Sequence, residues 1–78
     1  MIDRDLAEEL ELACIDAMRG DPPGPGMAKR LERTVTDLLY RKGIEGRVEA
    51  RSDHRGTKVA VGIMPPGQPP QKIVLTLG

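Results

Sequence analysis

Arg47-Val48-Glu49-Ala50-Arg51-Ser52-Asp53-His54-Arg55-Gly56-Thr57-Lys58-Val59-Ala60-Val61-Gly62-Ile63-Met64 is the stretch on which the fold turns. From Arg47 to Ser52 and again from Thr57 to Met64 the residue character alternates with a period of two, the period of a strand with one covered face. Val48 and Ala50, then Val59, Val61 and Ile63, are expected to face a core. Arg47, Glu49 and Arg51, then Lys58, Ala60 and Gly62, fall on the other side. Asp53-His54-Arg55-Gly56 between them has the composition of a hairpin turn. A third alternating run, Lys72 to Leu77, places Ile73, Leu75 and Leu77 inward and Lys72, Val74 and Thr76 outward. The Pro65-Pro66-Gly67-Gln68-Pro69-Pro70 segment before it reads as an extended, proline-stiffened connector, with a polyproline ligand for an aromatic groove as the other use of such a motif.

Upstream the period changes from two to that of a helix. Met27, Leu31, Val35, Leu38 and Leu39 form one stripe, while Lys29, Arg30, Glu32, Arg33, Asp37 and Arg41 lie mostly off it, so a helix is predicted from about Met27 to Lys42 with Gly43 as its terminator. Residues 3–19 predict a first helix, with Asp3 or Asp5 as N-cap, acidic residues in the early turns and Arg19 in the last turn before Gly20. Its stripe is Leu6, Leu10, Ala13, Cys14 and Ala17; Leu12 and Ile15 lie off it, so the helix is apolar on more than one side. Gly20-Asp21-Pro22-Pro23-Gly24-Pro25-Gly26 is read as a linker, compatible with an antiparallel helical hairpin or with a first helix held away from the body. The expected architecture is one domain, 1–78, of the α+β class: two helices packed on one face of a three-stranded antiparallel sheet, in the order α-α-β-β-β.

Composition narrows the function. The chain has 78 residues and is 38 % apolar, and Tyr40 is its one aromatic residue, so the core must be aliphatic and a base-stacking platform is excluded. Twelve bases balance twelve acids, which disfavours a dedicated nucleic-acid binder. The balance is an average: residues 1–21 are net −5 and residues 22–78 net +5. The acidic helix is therefore expected to meet the basic body, either its own or that of a neighbouring subunit. A lone Cys14 permits no internal disulfide, and with His54 the only histidine a closed zinc site is implausible; no metal and no cofactor is expected. No apolar run reaches membrane-spanning length, and the acidic start lacks the features of a signal peptide, so a cytoplasmic protein with no membrane association is expected.

No catalytic constellation is legible. His54 beside Asp53 sits at a hairpin tip without a nucleophile or a second base at motif spacing, Cys14 falls on the apolar stripe, and the Pro/Gly loop lacks the strand and the ending of a P-loop. The expectation is a protein that is not an enzyme. What remains are surfaces. Arg47, Arg51, Arg55 and Lys58 are expected to gather on the first hairpin as a basic patch, facing phosphate or an acidic protein surface such as a neighbour's first helix. Leu6, Leu12 and Ile15 are the candidate apolar contacts of the first helix.

From about Lys29 to Gly78 the order of elements resembles the C-terminal region of contractile-tail sheath proteins of bacteriophages and related injection systems. The residues that carry the likeness are Arg30 to Leu39, Lys42-Gly43, Arg47 to Asp53, Val59 to Ile63, and Pro69 to Leu77. After its prolines the sheath pattern favours an acidic and an aromatic residue, where this chain has Gln71 and Lys72, and the large sheath domains are absent. The resemblance implies a small virion component of tail, neck or baseplate, found in host cytoplasm or virion, that joins protein neighbours or copies of itself. The alternative expectation is a small regulatory or nucleic-acid-binding module that works through the basic hairpin.

Overall fold

A computed structural model describes residues 4–77. Two helices, α1 (Arg4–Ala17) and α2 (Pro25–Arg41), precede three strands, β1 (Gly46–Asp53), β2 (Gly56–Ile63) and β3 (Gln71–Thr76). The strands form one antiparallel sheet in the order β1-β2-β3, so the fold is α+β in the order α-α-β-β-β. Val48 pairs with Val61 and Ala50 with Val59; across the other ladder Val61 pairs with Ile73 and Val59 with Leu75. This register stacks the inward aliphatic side chains of all three strands in rows, which is what period-two alternation with one covered face requires.

α2 lies over β1, and α1 lies alongside α2. The covering stripe of α2 is Met27, Leu31, Val35 and Leu39, four residues at steps of four; that of α1 is Leu6, Leu10 and Cys14, at the same step. Together with Val59, Val61, Ile63, Ile73, Leu75 and Leu77 they make one aliphatic core. Each fully covered Leu or Ile removes enough apolar surface from water to be worth about 1.5–3 kcal/mol. The helices run antiparallel: Lys42, just past the end of α2, holds Glu9 of α1 at 2.9 Å, while Arg30 pairs with Asp21 at the end where the loop crosses. The first helix is thus half of a helical hairpin and supplies core residues, which decides between the two arrangements the linker permits.

Local chemistry accounts for the boundaries. Pro25 and Gly26, expected in the linker, form the first turn of α2, because proline at the first helical position needs no partner for a missing N–H and has its φ preset. At the other end the Ile44 amide donates to the Leu39 carbonyl (2.9 Å) and the Gly43 amide to that of Tyr40 (3.0 Å), the paired closure of a Schellman motif. α1 ends at Ala17, two residues short of the expected Arg19, as the Met18 amide is shared between the carbonyls of Cys14 and Ile15 and the Arg19 amide turns to that of Asp16, three residues back. Asp5 lies in its first turn; Asp3, the other expected cap, is outside the described residues.

One expectation is corrected. The Pro65–Pro70 connector is not uniformly extended: the Gln68 amide donates to the Pro65 carbonyl at 3.2 Å, and Gly67 takes a φ of 71°. Pro66 then Gly67 at the two central positions is the pattern of a type II turn, whose second central residue needs positive φ. The reversal interrupts the run of prolines, so the segment is no continuous polyproline helix.

Among the described residues, Ser52 and Thr57 are the buried polar ones. The hydroxyls of Ser52 and Thr57, cross-strand neighbours beside the β1–β2 turn, are 3.0 Å apart and buried, and the Gly24 amide donates to Ser52 Oγ at 3.3 Å. The chain joining the helices is thereby tied to the hairpin through groups that leave no hydroxyl unpaired.

Candidate interaction surfaces

Both helices lie on one side of the sheet, so its other face carries no covering layer among the described residues. Register sets its composition. Arg47, Gly62 and Lys72 form one cross-strand row, Glu49, Ala60 and Val74 the next, and Arg51, Lys58 and Thr76 the third. The middle strand contributes Ala60 and Gly62 where its neighbours contribute long side chains, which leaves a shallow trough of about 560 Å³ with Arg47, Glu49, Ala60, Gly62 and Lys72 among its walls. Val74, 57 % exposed, extends its apolar floor. Arg47, Arg51, Lys58 and Lys72 make no ion pair among the described residues. Four cations thus stand on one face against Glu49, Asp53 at its turn end, and Glu32, which reaches the β1 edge from α2 and lines the same depression.

Of the four basic residues the sequence singles out, Arg47, Arg51 and Lys58 do share this face. Arg55 is set apart on the turn, where its amide donates to Asp53 Oδ1 at 2.8 Å, and it borders a small depression with Arg51, Lys58 and Thr76. Lys72 was the omission. Its outward side follows from strand parity, but its place opposite Gly62, one strand from Arg47, depends on how the proline loop turns. Asp53 is engaged with the turn's own backbone, and His54 beside it is exposed.

The second surface is the outer side of α1. At 100° per residue Glu8, Glu11, Leu12 and Ile15 point away from the buried Leu6-Leu10-Cys14 stripe. Leu12 is 66 % exposed and Ile15 45 %, although both are large aliphatic residues. Glu8 and Glu11 make no ion pair among the described residues, whereas Glu9 turns back to Lys42. Leu6, grouped with Leu12 and Ile15 in the sequence reading, differs from them: it is buried in the chain's own core and offers nothing to a partner. Its position four residues before Leu10 puts it on the core stripe.

The sheet edges are unlike one another. At β1, Glu32 of α2 reaches the Ala50 amide (3.3 Å), so a carboxylate occupies a donor that another chain's strand would use. β3 is the other edge, and no described strand lies beyond it. Cys14 is fully buried, and desolvation pushes its thiol up to about 11 from the ordinary 9.0; a thiol held protonated is a packing group in this setting. Among the described residues no helix is long and apolar enough to cross a membrane, and no three His, Cys, Asp or Glu side chains cluster as metal ligands.

No family model matches this chain, no curated protein is significantly similar to it, and no solved structure matches its fold.

Proposed function

We propose that this chain is a non-enzymatic assembly subunit, a small structural protein that works by joining protein neighbours, its own copies included. The observation that carries the reading is the exposure of Leu12 and Ile15 on a helix whose opposite side already completes the core. Isolated apolar side chains on a surface are ordinary. Here the two stand one turn apart on the same side of one helix, bordered by Glu8 and Glu11. The open sheet face supplies a second contact, and β3 supplies an edge able to accept a strand.

The likeness of residues 29–78 to the end module of contractile-tail sheath proteins gives this reading a setting: a virion component of tail, neck or baseplate, made in the host cytoplasm. Sedimentation equilibrium from low to high micromolar concentration tests the assembly reading. A mass that rises with concentration is the expected result; a monomer throughout, alone and with the proteins of neighbouring genes, defeats it.

A second reading is favoured by the four unpaired cations: a small regulatory module that grips nucleic-acid phosphates with the sheet face. Duplex binding whose affinity falls steeply with salt, and falls again when Arg47 and Lys72 are reversed in charge, would favour it over assembly.

A further inference from the structure

The opposite charges of the two parts of the chain are only partly matched within the fold, where Arg30 pairs with Asp21 and Lys42 with Glu9. α1 folds back onto the body through its apolar stripe, with Glu9 held by Lys42. Glu8 and Glu11 point outward on the helix side of the molecule. Arg47, Arg51, Lys58 and Lys72 point outward on the far side of the sheet. A helix layer and a sheet separate the two sets, so no motion short of unfolding brings them together in one chain.

We infer that the outer face of α1 in one copy seats in the outer sheet trough of the next, so that copies join head to tail. This rests on the assembly reading and names its partner, a second copy of this chain. Three observations support it. The chemistry is reciprocal: acids around Leu12 and Ile15 on one surface, cations around Ala60 and Val74 on the other. The lengths agree, since the 14 residues of α1 span about 21 Å and the eight of β1 about 26 Å. The centre of the trough is open, for a Cβ built on Gly62 meets nothing within 4 Å. The stems of the flanking Arg and Lys side chains would lie along the helix while their heads stay wet.

The same charges oppose the symmetric alternatives. Sheet on sheet brings eight cations together, and helix on helix faces Glu8 and Glu11 with their own copies. A contact between two unlike surfaces is heterologous and propagates into a ring or an open filament. α2 also presents cations, Lys29 and Arg33 among them, but Arg30 beside them is held by Asp21, and the depression that Gly26, Lys29, Arg30 and Arg33 line has no apolar side chain to receive Leu12 and Ile15. Glu49, the acid in the middle row of the sheet, repels an acidic helix locally and so limits the orientations that α1 can take.

The test uses full-length variants, with thermal melting by circular dichroism as the check on folding. Gly62→Val puts a strand-favouring side chain into open space on the outer face, so the fold is kept while the trough is filled; association is expected to weaken about tenfold or more. Glu8→Lys with Glu11→Lys, and separately Arg47→Glu with Lys72→Glu, are each expected to remain monomeric at concentrations where the parent assembles. Mixing these two restores assembly beyond a dimer, because every reversed face then meets a complementary one. If the parent assembles while Gly62→Val and the sheet reversal assemble equally well, the sheet is not the docking site and this inference falls, although the assembly reading stands. If the helix reversal alone disrupts assembly, α1 meets another surface and the inference falls likewise. A parent that never assembles overturns both.

Discussion

Leu10 and Leu12 lie two residues apart on α1 and should respond to the same substitution in opposite ways. Leu10 is fully buried and Leu12 is 66 % exposed. Leu10→Ala removes about three carbon groups from the core, worth about 0.8 kcal/mol each in transfer alone. The aliphatic core that Leu10 shares with the fully buried Leu31, Val35 and Val59 cannot close the space without losing contacts of its own, so the whole cost is about 2–5 kcal/mol. A chain of this length has a total stability of only about 4–12 kcal/mol. Leu10→Ala should therefore lower the melting temperature by upwards of about 10 °C or leave the protein unfolded. Leu12→Ala deletes the same atoms from water and should change stability by no more than about 0.5 kcal/mol in dilute solution. Urea unfolding followed by far-ultraviolet circular dichroism is the assay, since the one aromatic residue, Tyr40, is exposed and reports little on the core. At higher concentration the order of effects changes in kind: Leu12→Ala should lose association that the parent retains. Equal costs for the two variants at low concentration would show that α1 does not present the side assigned to the core, and the surfaces argued from it would go with it.

Two further outcomes follow from packing and from burial. Gly46→Ala should destabilise by about 1–3 kcal/mol, because the added Cβ would stand 2.5 Å from the Gly62 carbonyl oxygen and 3.3 Å from Leu39 Cδ1; a melting temperature unchanged by this substitution would refute the close approach of β1 to β2 there. Cys14 predicts loss of stability in alkali. Below pH 9 its thiol is protonated in the folded and unfolded chains alike; between 9.0 and about 11 the unfolded chain releases a proton that the fold retains, so stability falls with rising pH by up to about 3 kcal/mol. Urea midpoints on either side of that window should diverge for the parent and converge for Cys14→Ala, and equal slopes in the two proteins would contradict the buried thiol.

Local sequence determined much of this protein. Alternation at Val59, Val61 and Ile63, the turn residues Asp53 to Gly56 and the four-residue steps from Met27 to Leu39 act through neighbours in the chain, and they place all five elements to within about two residues. The outward exposure of Leu12 and Ile15 is likewise a matter of angle along one helix. Tertiary structure alone decided the rest. A flexible-looking Pro/Gly loop is compatible with several helix directions, and it was the fit of Leu6, Leu10 and Cys14 against α2 and the sheet that made a hairpin of the two helices. Lys72 joined Arg47 because β3 pairs with β2 in one register after a turn at Pro66-Gly67 that the prolines disguised as an extended run. Charge shows the division most plainly: the sum of acids and bases is readable residue by residue, but their separation onto opposite faces depends on which side of the sheet the helices cover, a choice made by the burial of apolar surface and not by the charges themselves.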